Sequence, residues 1–254
     1  MTGAIGWPLA AFIIAVGPAV GSFLMLLADR LPRDEDVIRR PSHCEACGAR
    51  IGWRDRIPLV SWLALRGRCR HCHAGIPQRL FLAEIAGLGA GVLGVAAATG
   101  AAEALAGAVF LWCVLGLVIA DLRAHLLPDA LTAMMFLSGV ALAWIEPARS
   151  IPGALGGAAA GGGAFWLLRG AYWWLRGREG LGLGDVKLMA AIGAALGVEL
   201  LALNVLLASL SGLAAALAGA RERGVRAALD GGREMPFGAF LALAAAALWL
   251  AHPQ

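Results

Sequence analysis

Residues Gly180–Gly193 read GLGLGDVKLMAAIG. A single carboxylate, Asp185, stands between a glycine-rich run and an apolar segment that carries one lysine. Whether that segment is a soluble helix or lies in lipid decides the fold, and the rest of the chain answers. Of 254 residues, 60% are hydrophobic and only 15% charged, well under the roughly 25% charged residues of soluble domains. Charge-free runs recur at Trp7–Ala28, Ile85–Ala102, Ala104–Ala120, Ala130–Ile145, Ser150–Leu168, Leu188–Val198, Leu200–Ala220 and Met235–Ala251. Most approach the ~20 residues that a helix rising 1.5 Å per residue needs to cross a bilayer. The pattern predicts an all-α integral membrane protein with about eight transmembrane helices. The first run is expected to be one of them and not a cleaved signal peptide, because its basic residues follow the apolar stretch. The 35 glycines suit close helix approach in lipid, and Gly231-Gly232 reads as a loop before the last helix.

Orientation follows from Lys and Arg, which accumulate on the cytosolic side. Eleven of the 21 lie between Arg30 and Arg79. With eight alternating helices, Arg123, Arg169, Arg176, Arg178, Lys187, Arg221, Arg223, Arg226 and Arg233 share that side, and Arg149 alone faces the other. Both termini are then extracytoplasmic. The net charge of +4 is a topological signal, and no nucleic-acid partner is read from it.

The chain divides into a first helix (1–29), a polar segment (30–79) and an apolar remainder (80–254). The polar segment carries Cys44-x₂-Cys47 and Cys69-x₂-Cys72, with 21 residues between the pairs. Two such turns supply four thiolates for a tetrahedral Zn²⁺, and a reducing cytosol disfavours disulfides. A four-Cys shell leaves no open position, so the metal reads as a staple for about 50 residues too poor in apolar side chains to build a core unaided. His43, His71 and His73 stand close enough in sequence to replace one thiolate. Trp53, Ile57, Leu59, Val60, Trp62 and Leu63 are expected to pack on the metal turns or along the membrane surface. Cys113, in an apolar run, reads as packing.

Few carboxylates fall in the apolar part, and each invites a functional reading. Glu103, Glu146 and Glu199 sit at predicted outer loops. Glu84 either pairs with a cytosolic arginine or lines a site, and Lys187 has no assigned role. Asp129, after Pro128, reads as a helix N-cap. Asp121 ends the helix Ala104–Ala120, where the negative end of the dipole disfavours a carboxylate. Asp185 to Val198 spans 14 residues, about 21 Å of helix against a hydrocarbon core of roughly 30 Å. That places Asp185 below the near surface. Gly180, Gly182 and Gly184 would let non-helical backbone lie against a neighbour there. Two carboxylates at one depth, Asp121 and Asp185, have the chemistry to hydrolyse a peptide bond: one ionised, activating water, the other protonated, donating to the carbonyl. The same pair could carry protons in a transporter, but no inverted repeat or second broken helix is visible, and a metal staple adds nothing to transport.

The segments GSF and RLP at the end of the first helix, PSHCEAC, IPLVSWLALRGRCRHC, DLRAHLLPDALT, GLGLGDVKLMAAIGAALG and MPFGAFLALAA together resemble the type IV prepilin peptidases, over nearly the whole chain. The resemblance implies a bacterial inner-membrane aspartic peptidase with Asp121 and Asp185 as catalytic pair. It implies removal of the basic leader of type IV prepilins or type II secretion pseudopilins, after a glycine at the cytosolic face. It also implies N-methylation of the new terminus from S-adenosylmethionine, whose binding residues no motif marks. Met25 stands where those proteins commonly have asparagine.

The charge split makes a topological prediction. A reporter fused after Gln254 is expected to read extracytoplasmic, and one inserted at 221–233 cytosolic. Reversal of either would break the eight-helix arrangement.

Overall fold

A computed structural model describes residues 6–37, 39, 41–146, 149–223 and 235–252. The readings of Arg40, Arg226, Arg233, Gly231-Gly232 and the C-terminus lie outside the described residues. The helices are α1 (Trp7–Arg30), α2 (Val60–Ala64), α3 (Gln78–Ala97), α4 (Ala101–Ala124), α5 (Asp129–Ile145), α6 (Ile151–Arg176), α7 (Leu183–Leu196), α8 (Leu201–Arg223) and α9 (Phe237–Ala251), with 3₁₀ turns at Leu31–Arg33 and Trp53–Arg56. No strand forms among the described residues; only isolated bridges join His43 to Arg50 and Arg68 to Gly75.

Each charge-free run lies mainly in one helix. Among the described residues, five helical segments are long and apolar enough to cross a membrane: Trp7–Arg33, Gln78–Ala97, Ala101–Ala124, Ile151–Arg176 and Leu201–Gly219. α5 and α9 are apolar but shorter, and α7 has only 14 residues. The ends of α6 follow local chemistry. Ser150 caps its start by accepting the Gly153 N–H at 3.1 Å, with Pro152 in the first turn. Gly177, at φ +65°, closes it through a bond from its N–H to the Trp173 carbonyl, a conformation glycine adopts without a Cβ penalty.

The helices form two compact units, dividing at Ile119/Ala120. In the first, α1 lies against α3. The contact is backbone to backbone: a Cβ on Gly17 would stand 2.5 Å from the Gly87 carbonyl oxygen. Ile13, Ala104 and Ala108 form a buried cluster with Leu9, Val95 and Trp112 around it. The Trp112 indole donates to the Gly87 carbonyl at 2.9 Å.

In the second unit α7 is the enclosed element. Leu188, Met189, Ala191, Ile192, Ala194 and Ala195 are all at most 1% exposed. α5, α6 and α9 pack on it. Arg149 donates to the Ala195 carbonyl in the last turn of α7 and pairs with Glu146 at 3.7 Å. Arg149 thus serves a helix C-terminus, where a cation is favoured. α6 turns Trp166, Leu167, Leu168, Trp173, Trp174 and Leu175 outward, an exposure that a lipid environment accommodates and water would not.

One sequence expectation is corrected here. Glu103 is not in an outer loop but in the first turn of α4, buried, accepting the Thr99 N–H and hydroxyl at 2.8 Å each.

The α6–α7 contact generates a test. A Cβ on Gly193 would stand 2.5 Å from the Gly157 carbonyl carbon, whereas one on Gly163 of α6 would meet open space. Gly193→Ala is expected to destabilise by about 1–3 kcal/mol through overpacking, and Gly163→Ala to be neutral or stabilising. Thermal unfolding in detergent compares the two.

Candidate metal centre and acidic pair

The two cysteine turns are built alike, 25 positions apart. Cys44 N–H donates to Ala49, Gly48 N–H to Cys44, and Ile51 N–H to Ser42; the counterparts are Cys69 to Ala74, His73 to Cys69, and Ile76 to Gly67. The matching positions Gly48 and His73 both have left-handed backbone, φ +69° and +58°. His73 therefore fills a turn position that suits glycine. All four sulfurs lie within 4.8 Å of one another, and Cys44 Sγ stands 3.8 Å from Cys72 Sγ. A tetrahedral zinc shell with ~2.3 Å bonds has sulfur–sulfur edges of about 3.8 Å, so the four cysteines fit such an ion. The first cysteine of each turn is favoured as thiolate, whereas Cys72, beside the other sulfurs, is pushed up to about 11. Backbone N–H groups of Cys47 and Ala46 bring Cys44 down to about 7, and those of Cys72 and His71 lower Cys69.

Specific contacts tie this segment together and to α3, among them the following. Arg70 grips Asp55 with two charge-assisted bonds, Nη2 to Oδ1 at 2.6 Å and Nε to Oδ2 at 2.9 Å, and holds its carboxyl below the usual range. Trp62 stacks on Phe81 of α3, centroids 4.3 Å apart, and its ring also lies against Gly67 at the base of the second cysteine turn. Glu84, buried on α3, accepts the Leu59 N–H at 2.7 Å. Leu59 is the N-cap of α2 with φ +62°. Glu84 thus secures a strained turn, a role that neither sequence reading of it named. Beside the cysteine turns lies a cavity of about 380 Å³, with Ile51, Leu65, Ile76 and Leu80 on its apolar walls and Glu45, Arg50, Asp55 and Arg70 among its charged lining.

The acidic pair is assembled within the second unit. Asp121 lies in the last turn of α4, 5% exposed. It accepts the Ala239 N–H at 2.7 Å in the first turn of α9. The unfavourable end of its own helix is thus offset by the positive end of another. Asp185 is the third residue of α7, whose N-cap is Gly182, so it is not itself the N-cap. Its carboxylate folds back on that residue: a Cβ at Gly182 would lie 3.4 Å from Asp185 Oδ2. Asp121 and Asp185 lie within electrostatic range of each other. Leu127, in the α4–α5 connection, links their supports. A Cβ on Gly184 would approach Leu127 Cβ to 3.1 Å, and one on Gly238 would approach Leu127 Cδ1 to 2.9 Å and Asp121 Oδ2 to 3.1 Å.

Asp129 is not an N-cap either. Pro128 holds that position, and no side chain caps α5. Asp129 instead receives Lys187 Nζ at 2.7 and 2.8 Å, which assigns Lys187 a partner that the sequence did not reveal. Leu127, Gly238 and the Ala239 N–H were also unforeseen. The MPFGAFLALAA segment carried a signal for the last two, but nothing in it points to Asp121.

Residues 15–99 match the bacterial peptidase A24 N-terminal domain, and residues 108–217 the type IV leader peptidase family. A prepilin leader peptidase/N-methyltransferase of Burkholderia pseudomallei is 36% identical over 93% of this chain and 84% of its own. Those of Aeromonas hydrophila and Stutzerimonas stutzeri are 34% and 35% identical, over 96% and 95% of this chain and 91% and 92% of theirs. No solved structure matches.

The paired turns generate a test of the metal set. Replacing Cys44, Cys47, Cys69 or Cys72 by Ser is expected to lower bound zinc. His73→Gly is expected to keep it and to stabilise the segment by about 1 kcal/mol, since the left-handed penalty is removed. Metal analysis of the purified variants decides, and zinc lost from His73→Gly would make that imidazole a ligand.

Proposed function

We propose, on the premise that this chain belongs to the type IV leader peptidase family, that it removes the basic leader of type IV prepilins or type II secretion pseudopilins. Cleavage falls after a glycine at the cytosolic face of the bacterial inner membrane, and the new N-terminal residue is then N-methylated. Asp121 and Asp185 form the catalytic pair. The observation that carries this reading is their tertiary approach through Gly184, Leu127 and Gly238.

In the peptidase step one carboxylate, ionised, takes a proton from water as the oxygen attacks the scissile carbonyl. The other, protonated, donates to the carbonyl oxygen. Collapse of the tetrahedral intermediate breaks the C–N bond, and the amine leaves with a proton returned from the pair. The Ala239 N–H keeps Asp121 aimed, and the Leu127 contacts keep the α4 end against the first turn of α7.

Residues 1–29 form the first of eight membrane helices, 30–79 the cytosolic zinc domain and 80–254 the peptidase core, with both termini extracytoplasmic. Zn²⁺ on Cys44, Cys47, Cys69 and Cys72 is coordinatively closed and structural. The cavity beside the cysteine turns fits the methyl donor, S-adenosylmethionine. Its charges of both signs, Glu45 and Arg50 among them, would hold an amino-acid zwitterion, and Leu65, Ile76 and Leu80 a purine. When bound, the donor supplies an electrophilic methyl group.

Asparagine is nearly isosteric with aspartate but neither acid nor base. Asp121→Asn and Asp185→Asn are each expected to abolish leader cleavage while zinc content and expression hold. Methylation of an already cleaved pilin is expected to persist. Asp129→Asn removes only an exposed ion pair worth ~0–1 kcal/mol and is expected to cost little. Cleavage of full-length prepilin by each purified variant is the assay. Near-normal cleavage by Asp121→Asn would remove it from the pair.

A further inference from the structure

The segment that leads into Asp185 is held by a side chain from α6. Arg169, 18% exposed along its side chain, donates from Nη1 to the Leu181 carbonyl at 2.6 Å. Its Nη2 donates to Glu179 Oε1 at 2.5 Å. One helical turn on, Tyr172 lies against the same segment: a Cβ on Gly180 would fall 2.8 Å from its ring Cγ, and nearer still to the ring carbons beyond. One face of α6 therefore grips residues 179, 180 and 181 in succession. Residue 182 is the N-cap of α7, and residue 185 is Asp185.

We propose that Arg169 is a positioning residue for Asp185, acting through the Leu181 carbonyl, with Tyr172 as the surface on which Gly180 seats. The inference rests on the peptidase reading of Asp185. Its physical basis is that Arg169 holds the backbone next to Gly182, the residue on which the carboxylate folds back. α7 begins at Leu183, only two residues before it, with no side-chain cap at Gly182. Four glycines among residues 177–184 give the connection wide conformational freedom when unconstrained. A displacement of the α7 start by about 1 Å is enough to cost on the order of 100-fold in rate. A planar guanidinium donating to a carbonyl and a carboxylate from one side restrains position and tilt together, which a lysine ammonium does less well. Arg169 touches neither water nor peptide at the acidic pair in this reading. Its removal acts on geometry, so it is expected to appear in kcat and not in KM.

The test compares Arg169→Gln, Arg169→Lys and Gly180→Ala with the unaltered chain, and uses Arg176→Gln as a control on the same helix. Prepilin cleavage is followed in proteoliposomes over substrate concentration. Arg169→Gln is expected to lower kcat at least about tenfold with KM held within about twofold. Arg169→Lys is expected to keep about a third of kcat. Gly180→Ala, whose methyl group meets the Tyr172 ring, is expected to resemble Arg169→Gln and to recover when Tyr172→Ala is added. A second readout needs no activity: trypsin cutting after Arg178 is expected to speed up about fivefold or more in Arg169→Gln as the segment is released, with zinc content unchanged. An unchanged kcat, a loss confined to KM, or an unchanged tryptic rate would overturn the inference. If the unaltered chain cleaves no prepilin, the proposed function fails on that control, and the tryptic comparison still decides whether Arg169 holds the segment.

Discussion

A carboxylate inside an apolar helix must find hydrogen-bond donors within the protein, because lipid offers none. Asp121 meets that constraint with the first turn of α9, 118 residues further along the chain. The bond answers two deficits at once. It supplies donors to an anion at the wrong end of its own helix, and it gives a partner to an N–H that α9 cannot pair internally. The arrangement requires Gly238, since a Cβ there would crowd both Asp121 and Leu127. Leu127 then reaches Gly184, so the start of α7, the end of α4 and the start of α9 are adjusted to one another around one buried oxygen.

Close helix approach makes this adjustment possible. Gly157 and Gly193 bring α6 and α7 into backbone contact, and Gly139 does the same between α5 and α7. Without a hydrophobic driving force between helices in lipid, dispersion at short range is what holds such a bundle. α7 pays for its short length with near-complete enclosure. Its C-terminal carbonyl at Ala195 is met by Arg149, and the segment entering it is met by Arg169. Both ends of this helix are secured by arginines from other parts of the chain.

The cysteine segment solves a different problem by duplication. Each turn uses its own backbone to direct N–H groups at one sulfur, and the second turn repeats the first with His73 in place of Gly48. Four sulfurs converge without a core to force them together. Other ties are specific contacts, among them Arg70 with Asp55, Trp62 with Phe81, and Glu84 with the Leu59 N–H.

The helix content, the Cys-x₂-Cys pairs and the prominence of Asp121 and Asp185 were legible in the chain itself. The physical reason is that each rests on local chemistry. Absence of charge over a helix length, two thiols one turn apart, and an acid where the dipole opposes it are properties of neighbours in sequence. Asp129 misled for the same reason, because Pro-Asp before an apolar run looks like a cap until Lys187 takes the carboxylate. The tertiary structure alone decided which N–H serves Asp121, what Glu84 holds, and that Arg169 grips the segment before Asp185. These pairings join residues 118, 25 and 12 positions apart, and their partners are backbone groups, which every residue carries and no sequence pattern marks.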